Sequence, residues 1–472
     1  MGKGKILNSA LERLLAETGW TEEQLAREVN RAGQEAGLDL RYDRTSVSHW
    51  LRGRQPWQPA PHLLAEALSR RLERTVSVTD IGMAGNCSRS RHSMRLSDDP
   101  RQTTSSELDA VLMLKNLAEF DSQRRKILAC ASYSLAALAV PAWPPPSAFQ
   151  RSFPERSPAT QHLTAEQIAV AERMAAVFTD TDDSFGGGHS RTVLAAYLAH
   201  DIAPRLQAPG SRTLRRRMLV AAAQLTYLCG FMCFDDRQHG LAQHYYRTVL
   251  SLASEAGAPG IYAFGQRALS VQAHALGHFQ HAMQLAELAA STAQRALPPH
   301  RHAFFLGQVA VASAALDNRA AALSALGTAE RRLSQHTSST SDFTMGRYHP
   351  ASLEHQHAAV TSLLGDRATA ITALTVSLRH RPADERRSRA ITSARLAGLQ
   401  VAQGHLEQAV ATWHTFLDDY PHLSSARATA ALKDLRSRLR PYAGTQPADV
   451  LLARAATLAA PCGRGEGDRA PR

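Results

Sequence analysis

The first eighty residues contain four short runs in which apolar positions recur three or four apart, the spacing of one buried helix face. Leu7, Leu11, Leu14 and Leu15 form the first stripe, and Gly19 stops it. Thr21, with Gln24 three positions on, has capping-box spacing and opens a second run whose Leu25, Ala26 and Val29 point inward. In the third run, Val47, Trp50 and Leu51 share a face at i, i+3 and i+4. Gly53 sits where a left-handed C-terminal cap belongs, and Pro56 blocks continuation. Pro59 and Pro61 start a fourth run with Leu64, Leu68 and Leu72 on one side. Four short helices are predicted, forming a head over residues 1–82.

The pattern then changes twice. Residues 83–106 have no hydrophobic period and are dominated by Ser and Arg, which predicts a basic disordered linker with Arg89, Arg91, Arg95 and Arg101 as loose cations. Helical spacing resumes over 107–120 through Leu108, Val111, Leu112 and Leu114. From Arg124 an apolar run, too short to cross a bilayer, predicts a buried helix docked on the helices downstream of it. A Pro-rich extended segment closes this connector, 107–160. From 161 to 460 the chain is Ala- and Leu-rich helix after helix with almost no strand signal, so the expected fold class is all-α.

Within that half one template recurs. A turn residue is followed five positions later by Ala and then by an amphipathic helix: Gly277 with Ala282, Asp317 with Ala322, Gly365 with Ala370 and Gly404 with Ala409. Arg237 with Ala242 is a degenerate fifth copy. Successive starts lie near forty residues apart, with one longer unit. The physical logic is that small Ala lets two antiparallel helices cross closely. Each pair leaves an apolar side that only the next pair can cover. The pattern, with its Tyr420-Pro421 ending, resembles tetratricopeptide (TPR) repeats and implies an α-solenoid.

The outer edge of the third head helix carries Arg44, Thr45, Ser46, Ser48, His49 and Arg52, with Arg54 just beyond. Hydroxyls and an imidazole suit base edges, and guanidinium groups suit phosphates on either side. The S-x-W-x-x-G-R-x-P signature on the third of four helices resembles the lambda-repressor-like (XRE) helix-turn-helix family over residues 5–82. It departs from that family in the connection G-Q-E-A-G-L-D-L-R-Y-D-R, which is long for a compact helix-turn-helix. Either the second helix runs on through Arg31 or Gln34, or an extra loop lies beside the DNA.

Charge supports an anionic partner without locating it. The chain of 472 residues has a formal net charge of +12, yet acids and bases nearly cancel in the head, leaving a local surplus at Arg41, Arg44, Arg52 and Arg54. The five cysteines, Cys87, Cys130, Cys229, Cys233 and Cys462, show no paired framework and fit a reducing cytoplasm. Cys229 and Cys233, one helical turn apart, read as buried thiols. No N-terminal signal or long apolar span is expected, and so no membrane partner. His274, His278 and His281 are read as one helical face and as surface or groove histidines, not a metal site. Gly186–Gly188 before a helix reads as a flexible loop, since no P-loop lysine comes after it. No nucleophile pattern stands out, and neither enzymatic activity nor a cofactor is expected.

The order of parts resembles a group of actinobacterial regulators, which implies transcriptional regulation of differentiation or secondary metabolism. On that reading the partner is double-stranded DNA and the chain acts as a homodimer, joined through 107–140 or the repeats. The groove of the repeats is a candidate site for a peptide or protein ligand, with Tyr262, Arg267, Phe304, Phe305 and Tyr348 as candidate lining, although core packing is the better reading for each. The competing reading is a TPR interaction scaffold whose head mediates protein contacts.

Overall fold

A computed structural model of the chain describes residues 8–35, 38–57, 59–72, 74, 76–83, 110–122, 133–144, 162–335 and 347–459. The linker expected at 83–106 lies outside the described residues from 84 onward, as does the run from Arg124 to residue 132. Every regular element among the described residues is helical, so the fold is all-α.

The head comprises α1 (Ser9–Thr18), α2 (Glu22–Glu35), α3 (Arg44–Leu51) and α4 (Ala60–Leu72). Its core joins Leu11, Leu14, Leu25, Val29, Val47, Trp50, Leu64 and Leu68, and continues into Val76, Ile81 and Met83. Met83 is buried, so the head closes one residue later than the composition shift suggests. Asn8 links the two ends. Its side chain caps α1 at the Leu11 amide and donates to Ile81 O at 2.9 Å, while its own amide donates to Leu51 O.

Helix α5 (Ala110–Ser122) buries Val111, Leu114, Leu117 and Ala118 against the body of the same chain. The body starts with α6 (Ala165–Phe185), α7 (Gly187–Tyr197) and a wide turn, Leu198–Ile202, leading into α8 (Ala203–Gln207). Six antiparallel pairs come next. They are α9 (Arg212–Asp235) with α10 (His239–Glu255), α11 (Pro259–Ala275) with α12 (Phe279–Ala296), and α13 (Pro299–Ala315) with α14 (Arg319–Leu333). Then come α15 (Pro350–Leu363) with α16 (Arg367–His380), α17 (Arg386–Ala402) with α18 (Leu406–Asp419), and α19 (Ala426–Leu439) with α20 (Gln446–Ala459). Each pair packs internally and on the next, as in a solenoid.

The turn template has a backbone cause. Arg237, Gly277, Asp317, Gly365 and Gly404 all have φ between 58° and 86°, the left-handed region. The next residue's amide reaches back five positions in each case, as from Gln238 to Cys233 O and His405 to Gln400 O. That is the Schellman closure of a helix. The paired alanines, Ala242, Ala282, Ala322, Ala370 and Ala409, are all fully buried at the crossings. A sixth pair escapes the template because Gly444 (φ 96°) is followed by buried Ala448, one position early.

The fold corrects two expectations from the sequence and decides a third point. Helix α9 is long and apolar enough to cross a membrane by composition, with mean hydropathy 1.4 over its most apolar stretch, but 83% of that stretch is buried inside the protein. His274 lies in the last turn of α11 while His278 and His281 belong to the α12 side of the turn, so Gly277 separates them. Tyr262 and Phe305 are core residues, and Arg267 lies on the Phe304 ring with its Nε donating to Phe304 O at 3.0 Å.

Candidate nucleic-acid interface

The third head helix is held by capping at one end and a glycine at the other. Asp43 precedes it in an extended conformation, and its Oδ1 accepts from the Ser46 amide and hydroxyl, both at 2.8 Å. These bonds, the backbone one foremost, hold the Asp43 carboxyl below its ordinary range. At the far end Gly53 has φ 86°, its amide donates to Trp50 O, and the Arg54 amide donates to His49 O at 3.0 Å.

The long connection is neither a loose loop nor a tight turn. Helix α2 runs through to Glu35, and the returning strand-like stretch is clamped to it. The Asn30 side chain donates to Tyr42 O and accepts from the Tyr42 amide, each at 2.8 Å, as a neighbouring strand would. Gly33 leaves room for this return, because a Cβ there would stand 2.5 Å from Leu40 Cδ1. The Tyr42 ring then meets Trp50 edge-on at 4.9 Å, fixing the start of α3 to its buried face.

On this support the candidate residues separate into three groups. Arg44, Arg52 and Arg54 are exposed, and Arg44 Nε lies 3.6 Å from Glu22 Oε2 at the helix entry. Thr45, Ser48 and Arg52, at i, i+3 and i+7, share the outward edge, with His49 beside them; Ser48 and His49 are half-buried. Ser46 is different. Its hydroxyl is engaged in the capping box, so its role in the structure is to start α3. From Arg44 to Arg52 the helix rises about 12 Å, close to the roughly 12 Å width of the major groove. The Asp43 carboxylate already satisfies the helix N-terminus, so phosphate contacts fall to the arginine side chains. Sequence reasoning passed over Trp57, which is 90% exposed in the turn after Arg54. An indole beside a Gln-Pro turn was the available signal.

Elsewhere the structure explains clusters that looked chemical. Cys229 and Cys233 are both buried, and with Asp121 they bring three ligand-type atoms within 4.8 Å of one another. The Asp121 carboxylate is already engaged by the Arg191 guanidinium and by Tyr245 OH at 3.0 Å. Arg191 thus supplies the positive charge that a metal would otherwise bring. Gly186–Gly188 is a packing junction in place of the expected flexible loop. The Gly187 amide donates to Asp235 Oδ2 at 3.1 Å and the Gly188 amide to Ser424 O at 2.8 Å. A Cβ on Gly187 would lie 2.6 Å from Met232 O. His302 is core, its Nε2 3.0 Å from Ala290 O.

The head also touches the body. Arg70 makes a two-pronged pair with Glu35, at 2.6 and 3.0 Å, and reaches Glu66 at 2.8 Å and Tyr133 O at 3.2 Å. The Tyr133 ring stacks on His278 at 5.7 Å, and His278 Nε2 stands 3.5 Å from Glu35 Oε1. Gln243 of α10 exchanges two hydrogen bonds with the Ser134 backbone.

Residues 11–84 match the family described as the SP15 N-terminal domain, and that span coincides with the core of the head. No curated protein matches the chain.

Proposed function

We propose that the chain is a sequence-specific DNA-binding transcriptional regulator of the XRE-like helix-turn-helix kind, with the TPR-like solenoid as its effector and dimerisation domain. The observation that carries this reading is the outward face of α3, where Thr45, Ser48 and His49 lie between exposed Arg44, Arg52 and Arg54. Helix α3 packs on α1 and α2, and its other edge presents donors at the spacing of a major groove. One such head offers a small interface, and two heads related by a twofold axis suit an operator. Because α5 spends its apolar face inside the chain, the repeats are the better dimer surface. The competing role, an interaction scaffold, is favoured by one observation: the head uses Glu35 and Arg70 to hold protein, namely its own connector and repeats.

The test is selection of bound sequences from random duplexes, followed by the Ser48→Ala and His49→Ala variants. Either variant should relax preference at one or two positions by about 1–3 kcal/mol each. Recovery of no preferred sequence by the full chain would favour the scaffold reading.

A further inference from the structure

The body carries an open cavity of about 730 Å³, within the size range of small-molecule sites. It is a bowl more than an open groove, because the end of the stack is tied back to its beginning. Gly188 donates to Ser424 O, Arg387 pairs with Asp182 at 3.1 Å, and Arg427 lies over the Phe234 ring at 5.2 Å. The walls therefore come from α9, α10, α11, α15, α16, α17 and α19 together.

Its charge is one-sided. Arg237, Arg367, Arg395, Arg427 and Arg438 line it against a single carboxylate, Asp434, which is already bound to Arg438 at 2.6 Å. Among the described residues the one carboxylate paired with Arg427 is Asp235, at 3.8 Å. Arg395 reaches the His355 ring at 2.9 Å, and among the described residues no carboxylate pairs with it, nor with Arg237 or Arg367. Arg395 is exposed to the cavity solvent. An uncompensated guanidinium in such a place favours any anion that can enter.

A second, independent feature points the same way. His239 lines the cavity and is 5% exposed, and among the described residues its Nδ1 has no hydrogen-bond partner, nor has Nδ1 of His274, also in the lining. Burial depresses the pKa of His239 to about 4, so a neutral ring is available as a hydrogen-bonding group. Phe234, Leu276, Leu363 and Leu399 complete the lining with apolar surface.

We propose that this cavity binds a small phosphate-bearing ligand, with Arg237, Arg367 and Arg395 holding its phosphates and the apolar lining holding its body. Three guanidiniums with no carboxylate partner among the described residues call for two or more negative charges, and their forked donors match phosphate oxygens. The site also has a route to the head. His274 and Leu276 line the cavity, and His278, in the same α11–α12 turn, touches Glu35 of the head. A ligand that shifts this turn changes the head's seating; that consequence rests on the DNA-binding reading, while binding itself does not.

The experiment is calorimetric titration of the full chain with inorganic pyrophosphate and with ATP, without divalent cations and at fixed ionic strength, with citrate as the carboxylate comparator. Saturable binding of at least one phosphate probe is expected, weakened at least tenfold by Arg395→Gln and by Arg367→Gln, with the melting temperature of each variant checked. Arg379→Gln, on the exposed end of α16, should leave the affinity unchanged. Absence of saturable binding by both probes, binding by both cavity variants as tight as by the wild type, or tighter binding of citrate would each overturn the proposal. If phosphate binds but DNA affinity is the same with and without it, the site stands and the link to the head falls.

Discussion

Glu35 is where the head, the connector and the repeats meet, and Glu35→Ala tests that junction. The side chains of Glu35 and Arg70 are only 6% and 13% exposed. Removing one member of such a buried pair costs about 3–5 kcal/mol, because its partner is left desolvated. Arg70 keeps Glu66 at 2.8 Å, so the lower end, about 3 kcal/mol, is expected. Native-state hydrogen exchange of the α2 and α4 amides reads the opening free energy of the head directly. The same substitution should also change the pH dependence. Burial pushes the Glu35 carboxyl upward, but His278 and Arg70 beside it outweigh burial, and the net pKa is lowered. A carboxylate with a folded pKa below its unfolded value stabilises above the unfolded pKa, about 4.3, and loses that contribution as pH falls through the folded pKa. The gap between wild type and variant should therefore be full near neutrality and narrow in acid. A neutral-pH difference below about 0.5 kcal/mol, a size ordinary for surface substitutions, would refute the junction as described.

Two further substitutions probe separate parts. Trp50→Ala should destabilise the head by about 3–5 kcal/mol, since the indole fills the space between α3 and Tyr42; denaturant unfolding of the head checks it, and a loss under about 1 kcal/mol would place Trp50 outside the core. Gly187→Ala should cost about 1–3 kcal/mol by forcing α7 off the Met232 backbone, read as a lower thermal midpoint of the body; an unchanged midpoint would return this segment to the status of a loop.

What was legible in the sequence was local. Left-handed turn residues and the buried alanines five positions on are set by neighbouring backbone, so five of the six hairpins could be read from spacing alone. The sixth was hidden by one residue, because the chain makes an extra 3-10 turn at Arg440–Tyr442 before Gly444. The α3 face was equally readable, since i, i+3 and i+4 positions stay together on a helix. The capping role of Ser46 was not legible, because an outward hydroxyl at the third helical position serves a cap as readily as a base. Long-range groupings left no trace. Asp121 meets Cys229 and Cys233 across more than a hundred residues, and the cavity cations come from different helices. Only packing brings them together.

The central claim is that α3 lies in the major groove with arginines on flanking phosphates, and the salt dependence of DNA binding tests it most directly. Affinity of the full chain for a selected duplex should be measured over a range of salt concentrations, beside Arg52→Ala and Arg54→Ala. Each variant should bind all sequences more weakly and shallow the slope of log affinity against log salt by about one, the share of a single neutralised phosphate. Slopes identical to wild type in both variants would contradict this placement of the helix.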